Sequence, residues 1–286
     1  MKMKKLISIL LAALILFALA ACGGGEKKPA ETQQPTSTAP AQGGETGGKD
    51  LPAQVQAIVN RGVLRVGVKV DVPKFGFQNP DTGEMEGLEV DIAKEFAKRV
   101  LGDENKVNFT GVTAQTRGPL LDNDEVDMII ATFTITEERK KSFNFTDPYY
   151  TDAIGFLVKK DSGINTMKDL DGKTIGVAQS ATTKDAIIEK ATELGITVNF
   201  AEYASYPEIN AALMAGRVDA FSVDKSILMG YVSDSTMILE EGFKPQEYGI
   251  ATKFDNKDLA AFVNDFVAEL KADGTMDALM EKWGLK

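Results

Sequence analysis

Along most of this chain, short apolar runs of strand length alternate with segments whose apolar residues recur at helical spacing. Strands that alternate with helices predict parallel sheets with helices on both faces. The first series has predicted strands at 63–68, 107–110 and 126–131 and predicted helices at 51–60, 88–100 and 118–121. The second series has predicted strands at 174–178, 197–201 and 218–221 and predicted helices at 182–194, 207–215 and from 224 onward. Two such series predict an α/β protein of two lobes.

Two extended apolar segments, 153–159 and 248–253, follow the two series, and two helices at 256–272 and 276–283 come last. If both extended segments connect the lobes, the chain crosses twice and its last helices return to the first lobe. Two crossing strands make a hinge about which lobes can close on a ligand. The first lobe is then 50–156 plus 251–286 and the second is 157–250. The alternative, that both strands belong to one sheet, stays open.

The pattern of charged and apolar residues at the N-terminus predicts that the protein is exported from the cytoplasm. Lysines within the first five residues precede an apolar run, 6–21, that is slightly short for a membrane span and ends at Cys22, the only cysteine. This pattern predicts a secretory signal at 1–21, with a transmembrane anchor as the alternative. The residues before Cys22 resemble a bacterial lipoprotein cleavage box, in which this cysteine carries the lipid. Residues 22–49 lack apolar periodicity and predict a flexible tether. We expect an extracytoplasmic protein anchored to the membrane through lipidated Cys22.

Composition excludes several classes of function. The formal net charge is −10, which is unfavourable for nucleic-acid binding. The chain has no histidine and one cysteine, which argues against a zinc or thiol site and excludes histidine-based catalysis. It also has no glycine-rich phosphate loop. We therefore expect no cofactor, no metal, no nucleic-acid partner and no enzymatic activity.

The stretch 126–139 predicts a site for a carboxylate. A buried strand runs into a hydroxyl-rich turn that contains Thr132 and Thr134, and Arg139 follows near the start of a short helix. A guanidinium pairs with a carboxylate in a matched two-pronged geometry, and exposed amide groups at a helix start favour anions. The alternative is a strand followed by a capped surface helix, with Arg139 in solvent.

Seven short motifs follow one another in the folded region: GVLRVG at 62–67, GLEVDIA at 87–93, VDMII at 126–130, TEER at 136–139, FTDPYY at 145–150, DLDGKTIGV at 169–177 and GRVDAF at 216–221. In this order they resemble the polar-amino-acid solute-binding proteins of ABC transporters, extracellular family 3, over nearly all of 55–286. The resemblance implies a two-lobe periplasmic-binding-protein-like fold of type II, with two parallel-rich sheets joined by a two-strand hinge. It implies that a monomer binds a free amino acid between the lobes and delivers it to the permease subunits of an ABC importer.

The resemblance also implies which residues hold the groups that all amino acids share. Arg139, with Thr132 and Thr134, would take the α-carboxylate. Thr182, which opens a helix of the second lobe, would add a hydroxyl or backbone donor. Asp224 would pair with the α-ammonium, although an ordinary helix N-cap is the alternative for this residue.

Lys69 and Arg117 are the candidates for the side-chain pocket. Exposure to solvent is the usual fate of such cations, but near Arg139 they would form a cationic cluster. TRGP at 116–119 and SVDK at 222–225 resemble the aspartate/glutamate-binding branch, which implies Tyr206 as a further contact. One aromatic of Phe75 and Phe77 would line the pocket while the other joins the core.

Three cations against Asp224 leave an excess of positive charge that an acidic amino acid balances better than a neutral or basic one. Closing a site over unpaired charge costs several kcal/mol per ion. The sequence therefore predicts L-aspartate or L-glutamate as the ligand. A neutral polar amino acid such as glutamine or cystine is the nearest alternative, followed by a dehydratase-like enzyme. A sensor domain is disfavoured because the chain ends after its last predicted helix.

Overall fold

The computed structural model describes residues 51–286. The predicted signal at 1–21, Cys22 and the linker to residue 49 lie outside the described residues and stay predictions. Within 51–286, no helix is both long and apolar enough to cross a membrane.

Eight α-helices and fourteen strands make up the described region. The helices are α1 Ala53–Arg61, α2 Leu88–Leu101, α3 Arg117–Asp122, α4 Thr183–Leu194, α5 Tyr206–Met214, α6 Lys225–Leu228, α7 Lys257–Ala272 and α8 Thr275–Lys282. The strands are β1 Leu64–Val68, β2 Asp71–Val72, β3 Gly76–Gln78, β4 Met85–Glu86, β5 Val107–Gly111, β6 Met128–Ile130, β7 Phe143–Phe145, β8 Tyr150–Lys159, β9 Thr174–Ala178, β10 Asn199–Tyr203, β11 Ala220–Asp224, β12 Thr236–Ile238, β13 Phe243–Tyr248 and β14 Ala251–Lys253.

Two mixed sheets form the centres of the two lobes. The first has the order β5-β1-β6-β14-β7, with β1 parallel to β5 and β6 and with β14 antiparallel to both its neighbours. The second has the order β10-β9-β11-β8-β12, with β13 also paired to β8. Its strands β9, β10 and β11 are parallel, and β8 runs against its three partners. The predicted α/β class with two lobes is confirmed.

Local sequence explains where the main helices begin and end. Helix α2 buries Leu88, Ile92 and Phe96, which lie on one face at helical spacing. It ends at Gly102, a residue in the left-handed conformation that terminates many helices. Helix α5 begins with a capping box in which Ser205 and Glu208 satisfy each other's backbone donors. Most predicted elements lie within two residues of their observed bounds.

The chain crosses between the sheets at 146–150 and again at 248–251. The two crossings are hydrogen-bonded to each other: the Thr146 amide donates to the Ile250 carbonyl at 3.0 Å, and the Tyr149 amide donates to the Tyr248 carbonyl at 2.8 Å. Residues 150–156, assigned to the first lobe from sequence, pair with the second sheet as the start of β8. The single extended segment expected at 248–253 divides into the end of β13 and the whole of β14, which lie in different sheets.

A small sheet of β2, β3 and β4 lies between β1 and α2 and was not predicted. Its strands are two or three residues long, which is too short to show an alternation of apolar and polar residues in the sequence. The chain returns from this sheet into α2 through Gly87, whose φ is 125°. The Glu89 amide there donates to the Phe75 carbonyl at 2.9 Å, so the start of α2 lies directly on this backbone.

We expect Gly87→Ala to destabilise the protein strongly. A Cβ at this position would lie 2.1 Å from the Phe75 carbonyl oxygen, and the φ of 125° is one that side chains rarely adopt. The free energy of unfolding should fall by about 3 kcal/mol or more. Gly83→Ala is the matched control, because φ is 75° but nothing lies within 4 Å of the new Cβ. Thermal unfolding monitored by circular dichroism should show only a small loss for this control, and equal losses would contradict the role of the backbone contact.

Candidate functional site

The candidate site lies where the carboxyl ends of the central strands of both sheets face each other. Lys69 follows β1, Thr132 lies just beyond β6, and Asp224 ends β11. The segment 179–183 follows β9 and leads into α4. Ligands of sheets of this kind bind beyond the carboxyl ends of the strands. The fold therefore brings together the residues that the sequence analysis singled out on separate segments.

Two guanidinium groups share the turn after β6. Arg117 Nη1 donates to the carbonyls of Ala131 at 2.7 Å and of Thr132 at 3.1 Å. Arg139 Nη1 donates to the carbonyl of Thr134 at 2.7 Å. The centres of both guanidinium groups lie close to the ring of Phe133, at 3.9 Å for Arg117 and 4.8 Å for Arg139. The carbonyls and the aromatic ring hold two like charges beside one another.

The turn itself has an unusual backbone conformation. Thr132 has a φ of 42°, in the left-handed region that a β-branched residue seldom occupies. Its amide donates to Oε1 of Glu89 at 2.5 Å, while its carbonyl accepts from Arg117. Such strain persists where surrounding contacts enforce it and is common at ligand sites. Thr134 is also buried and pairs with Tyr248 in an isolated antiparallel bridge.

Neither guanidinium has a carboxylate partner within the described part of the chain. Arg117 is 3% exposed, and its hydrogen bonds go to backbone carbonyls. Burial lowers the pKa of Arg117. Burial, and next the nearby charge of Arg117, lower the pKa of Arg139 to about 9. Two like charges, one buried and one partly buried, that contact no carboxylate among residues 51–286 make this turn attractive to an anion.

Lys69 differs from the two arginines because it already has a carboxylate. It is 2% exposed, and its Nζ lies 2.9 Å from Oδ1 of Asp71. The same Nζ lies 4.5 Å from the ring centre of Tyr206, which belongs to the other lobe. Burial lowers the pKa of Lys69, and Asp71 opposes that shift. Lys69 therefore contributes less net charge to the site than a count from sequence assumes.

Asp224 supplies the negative charge on the second lobe. It is 5% exposed and stands at the N-cap position of α6, but its side chain caps no amide there. The hydroxyl of Tyr248 donates to its Oδ2 instead. Burial raises the pKa of Asp224 to about 7. A cation placed beside this carboxylate would favour its ionised form.

The segment 179–183 reaches the site through its backbone. The carbonyl of Ser180 accepts from Arg139 Nη2 at 3.2 Å and thereby joins the two lobes. Ser180 has a φ of 60°, which marks a sharp bend ahead of α4. The hydroxyl of Thr182 donates to Oε1 of Gln246 at 2.8 Å, within its own lobe. Arg139 is thus the residue that spans the cleft at this point.

Several residues around the site carry roles that the sequence analysis missed: Asp71, Glu89, Phe133, Tyr149 and Tyr248. One of them left a readable signal. Glu89 lies four residues before Ala93 on the buried face of α2, where the periodicity predicts an apolar side chain. The partners of Asp71 and Tyr248 depend on contacts between distant segments and leave no such pattern.

Phe75 is buried and Phe77 is partly exposed, and the pocket role expected for one of them stays a prediction. Phe75 is fully buried, and its ring lies edge-on to those of Tyr150 and Tyr248, with centroids 5.1 Å and 5.9 Å away. It therefore supports the tyrosine that donates to Asp224. Across residues 51–286, the acidic side chains form no group of three suited to a metal ion.

The lobes touch across the cleft at several points besides Arg139 and Lys69. The hydroxyl of Tyr231 on the second lobe donates to the carbonyl of Asp71 on the first at 2.5 Å. Beside it, Gly230 approaches Pro73 so closely that a Cβ would lie 2.8 Å from the proline ring. These contacts enclose the charged residues and reduce their access to water, which strengthens electrostatic interactions in the site.

Comparisons with known proteins agree with this architecture. A profile of the family described as bacterial extracellular solute-binding proteins, family 3, matches residues 64–286. A glutamine-binding protein of Geobacillus stearothermophilus is 41% identical over 251 residues, which cover 87% of this chain and 91% of that protein. A glutamate-binding protein of Corynebacterium glutamicum is 32% identical over 237 residues, covering 78% of this chain and 79% of that protein. The solved structure of a solute receptor for L-cysteine of Neisseria gonorrhoeae superimposes with a TM-score of 0.74 at 32% identity, covering 80% of this chain and 93% of that one.

We expect Tyr231→Phe to speed the release of bound ligand without changing which ligand binds. The variant loses only the hydrogen bond to Asp71 across the cleft. One such bond is worth about 0.5–1.5 kcal/mol, so the dissociation rate should rise about twofold to twelvefold. Tyr203→Phe is the matched control, since this tyrosine is partly exposed at the end of β10, on the same lobe. Stopped-flow dissociation measures the rate, and an unchanged rate would show that the contact does not hold the lobes together.

Proposed function

Because the chain belongs to the bacterial extracellular solute-binding proteins of family 3, we propose that it binds an acidic amino acid, L-aspartate or L-glutamate, between its lobes. The observation that carries the proposal is the pair of guanidinium groups, Arg117 buried and Arg139 partly buried, which are held by carbonyls and left without a carboxylate partner among the described residues. A ligand with two carboxylates supplies one to each. Such pairing recovers much of the cost of burying the two cations.

Arg139 and Asp224 form the grip for the groups shared by all amino acids. Arg139 approaches the cleft from the first lobe, and Asp224 closes strand β11 of the second. The α-carboxylate pairs with the guanidinium, supported by the turn at Thr132 and Thr134. The α-ammonium pairs with Asp224 and lowers the pKa that burial has raised. Ligand charge thus compensates protein charge on both sides of the cleft.

Arg117 is the determinant of the side chain in this proposal. Lys69 and Asp71 form an ion pair that is neutral as a unit. The remaining charges are then two guanidinium groups and the carboxylate of Asp224, a net of +1. An acidic amino acid carries −1 and neutralises the site, whereas a basic one leaves it at +2. Tyr206, which packs over Lys69, would close the pocket from the second lobe.

Glutamine is the second candidate, and Glu89 is the observation that favours it. If this buried carboxyl is ionised, the net charge near the site falls to zero, and a neutral amino acid leaves it balanced. Burial raises the pKa of Glu89 to about 7, so both protonation states are accessible near neutral pH. The relatives include both a glutamine-binding and a glutamate-binding protein.

We further propose that the loaded protein delivers its ligand to the permease of an ABC importer as a monomer, tethered outside the cytoplasm through lipidated Cys22. The relatives are binding proteins by name, including one named as part of an ABC transporter in Bacillus subtilis. This supports uptake over the dehydratase alternative. Palmitate labelling of the full chain in a bacterial host, lost in Cys22→Ala, tests the anchor.

Calorimetric titration of the twenty amino acids should show tight binding of glutamate or aspartate, and Arg117→Met should weaken these far more than it weakens glutamine. The variant keeps an unbranched side chain of similar bulk near the backbone but removes the charge beside the ligand's second carboxylate. The acidic ligands should lose at least about thirtyfold in affinity. Arg217→Met removes an exposed arginine of the second lobe and is the control. Equal losses for glutamate and glutamine would remove Arg117 from the side-chain pocket, and tight arginine binding alone would overturn the proposal.

Asp224→Asn should weaken glutamate and glutamine alike, because both present the same ammonium. The loss in affinity should be about thirtyfold or more, since the ammonium of the ligand is left buried without a carboxylate.

Asp224→Asn should also remove a pH dependence of ligand affinity. In the wild type a proton must leave Asp224 on binding, so affinity for both ligands should fall as pH drops below about 7. Asp234→Asn, in an exposed loop, is the control. A loss confined to one of the two ligands would contradict the assigned role.

A further inference from the structure

Glu89 is a buried carboxyl that the proposed binding contacts do not use. Its side chain is 0% exposed. Oε1 accepts from the amide of Thr132 at 2.5 Å and from the hydroxyl of Tyr149 at 2.6 Å. Oε2 has no hydrogen-bond partner among the described residues. Glu89 therefore lies directly behind the turn that holds the two guanidinium groups.

The carboxyl and Arg117 bind opposite ends of one residue. Glu89 accepts from the Thr132 amide, while Arg117 donates to the Thr132 carbonyl. Both contacts are on Thr132, so the contacting atoms, Oε1 of Glu89 and Nη1 of Arg117, lie at most about 9 Å apart. In the low-dielectric interior of the protein, a charge at this distance changes the binding of an anion by about tenfold.

We infer that Glu89 is a positioning residue that sets the balance between acidic and neutral ligands, acting from behind the turn without touching the ligand. The inference rests on the proposed function of the same site. Its hydrogen bonds keep Thr132 in the strained conformation that presents two carbonyls to Arg117. Its charge offsets the guanidinium groups, so an ionised Glu89 weakens the hold on a second ligand carboxylate and a protonated Glu89 strengthens it.

The groups that face Glu89 define how its protonation depends on pH. Burial raises the pKa of Glu89 to about 7, and the opposing influences come from Tyr149 at the crossing, Thr132 after β6, Lys69 after β1 and Arg117 on α3. Binding of an extra anion further favours the protonated form. The ratio of glutamate to glutamine affinity should therefore rise as pH falls from 8.5 to 5.5, a range in which the side chain of free glutamate stays ionised.

The test compares wild type, Glu89→Gln and Glu95→Gln by calorimetric titration with glutamate and with glutamine across this pH range. Glu89→Gln keeps an oxygen that can accept from Thr132 and Tyr149 but removes the charge. At pH 8.5 it should raise the ratio of glutamate to glutamine affinity about fivefold to twentyfold. Glu95→Gln removes a charge from the partly exposed face of the same helix and should leave the ratio unchanged.

The ratio of glutamate to glutamine affinity isolates the effect of Glu89 from that of Asp224. Both ligands carry the ammonium that Asp224 binds, so a change at Asp224 cancels in the ratio. Equal losses for both ligands in Glu89→Gln would indicate a structural role alone and overturn the inference. So would a pH-dependent ratio in Glu89→Gln as steep as in wild type, because Lys69 or Arg139 would then carry the dependence. If Glu89→Gln does not fold, the pH dependence of the wild-type affinity ratio is the deciding measurement. A ratio that does not change with pH overturns the inference.

Failure of the inference about Glu89 is distinguishable from failure of the proposed function. A wild type that prefers glutamine would contradict the acidic assignment. The inference about Glu89 would still predict a rise of the ratio in Glu89→Gln and its loss of pH dependence.

Discussion

The position of buried Arg117 beside partly buried Arg139 on the turn after β6 is the constraint on which the site depends. Like charges in a protein interior repel, and they lose the stabilisation of water. Here three backbone carbonyls of the turn, the carbonyl of Ser180 and the ring of Phe133 hold them in place. Within the described residues this arrangement includes no carboxylate paired with either guanidinium, and in the proposed function the carboxylates of the ligand supply that partner. Under this proposal, specificity follows from the number of carboxylates on the ligand and from the charges that surround the pair.

The two-lobe topology determines which charges those are. The double crossing at 146–150 and 248–251 puts β8 and β13 in the second sheet and β14 in the first. It also brings Tyr149 and Tyr248 to the centre of the molecule, where one hydroxyl donates to Glu89 and the other to Asp224. Two carboxyls with pKa raised to about 7 by burial are therefore tied to the segment about which the lobes would move. If the lobes close on a ligand there, as proposed, the protonation of these two carboxyls is coupled to its binding.

Periodicity predicted most of the fold because the sheets are built of buried strands and amphipathic helices. Strand β9 has the bounds expected from sequence, and α4 and α7 begin one residue later than expected. The short strands β2 to β4 were missed because two or three residues cannot display alternation. The start of β8 was missed because Tyr150 and Asp152 are neither consistently apolar nor regularly alternating. For the site, the residues were identified on separate segments, but the pairing of Lys69 with Asp71 was not foreseen.

The sequence alone determined the fold class and the segments that supply the site, because hydrophobic spacing and short motifs are local properties of the chain. It also placed the hydroxyl-rich turn and Arg139 together, since only a few residues separate them. Only the tertiary structure decided the net charge that a ligand meets. Counting side chains gave three cations against one anion, whereas the fold pairs Lys69 with Asp71 and buries Glu89 behind Thr132. The physical reason is that the charge state and strength of an ionisable group depend on burial and neighbours, which distant segments provide.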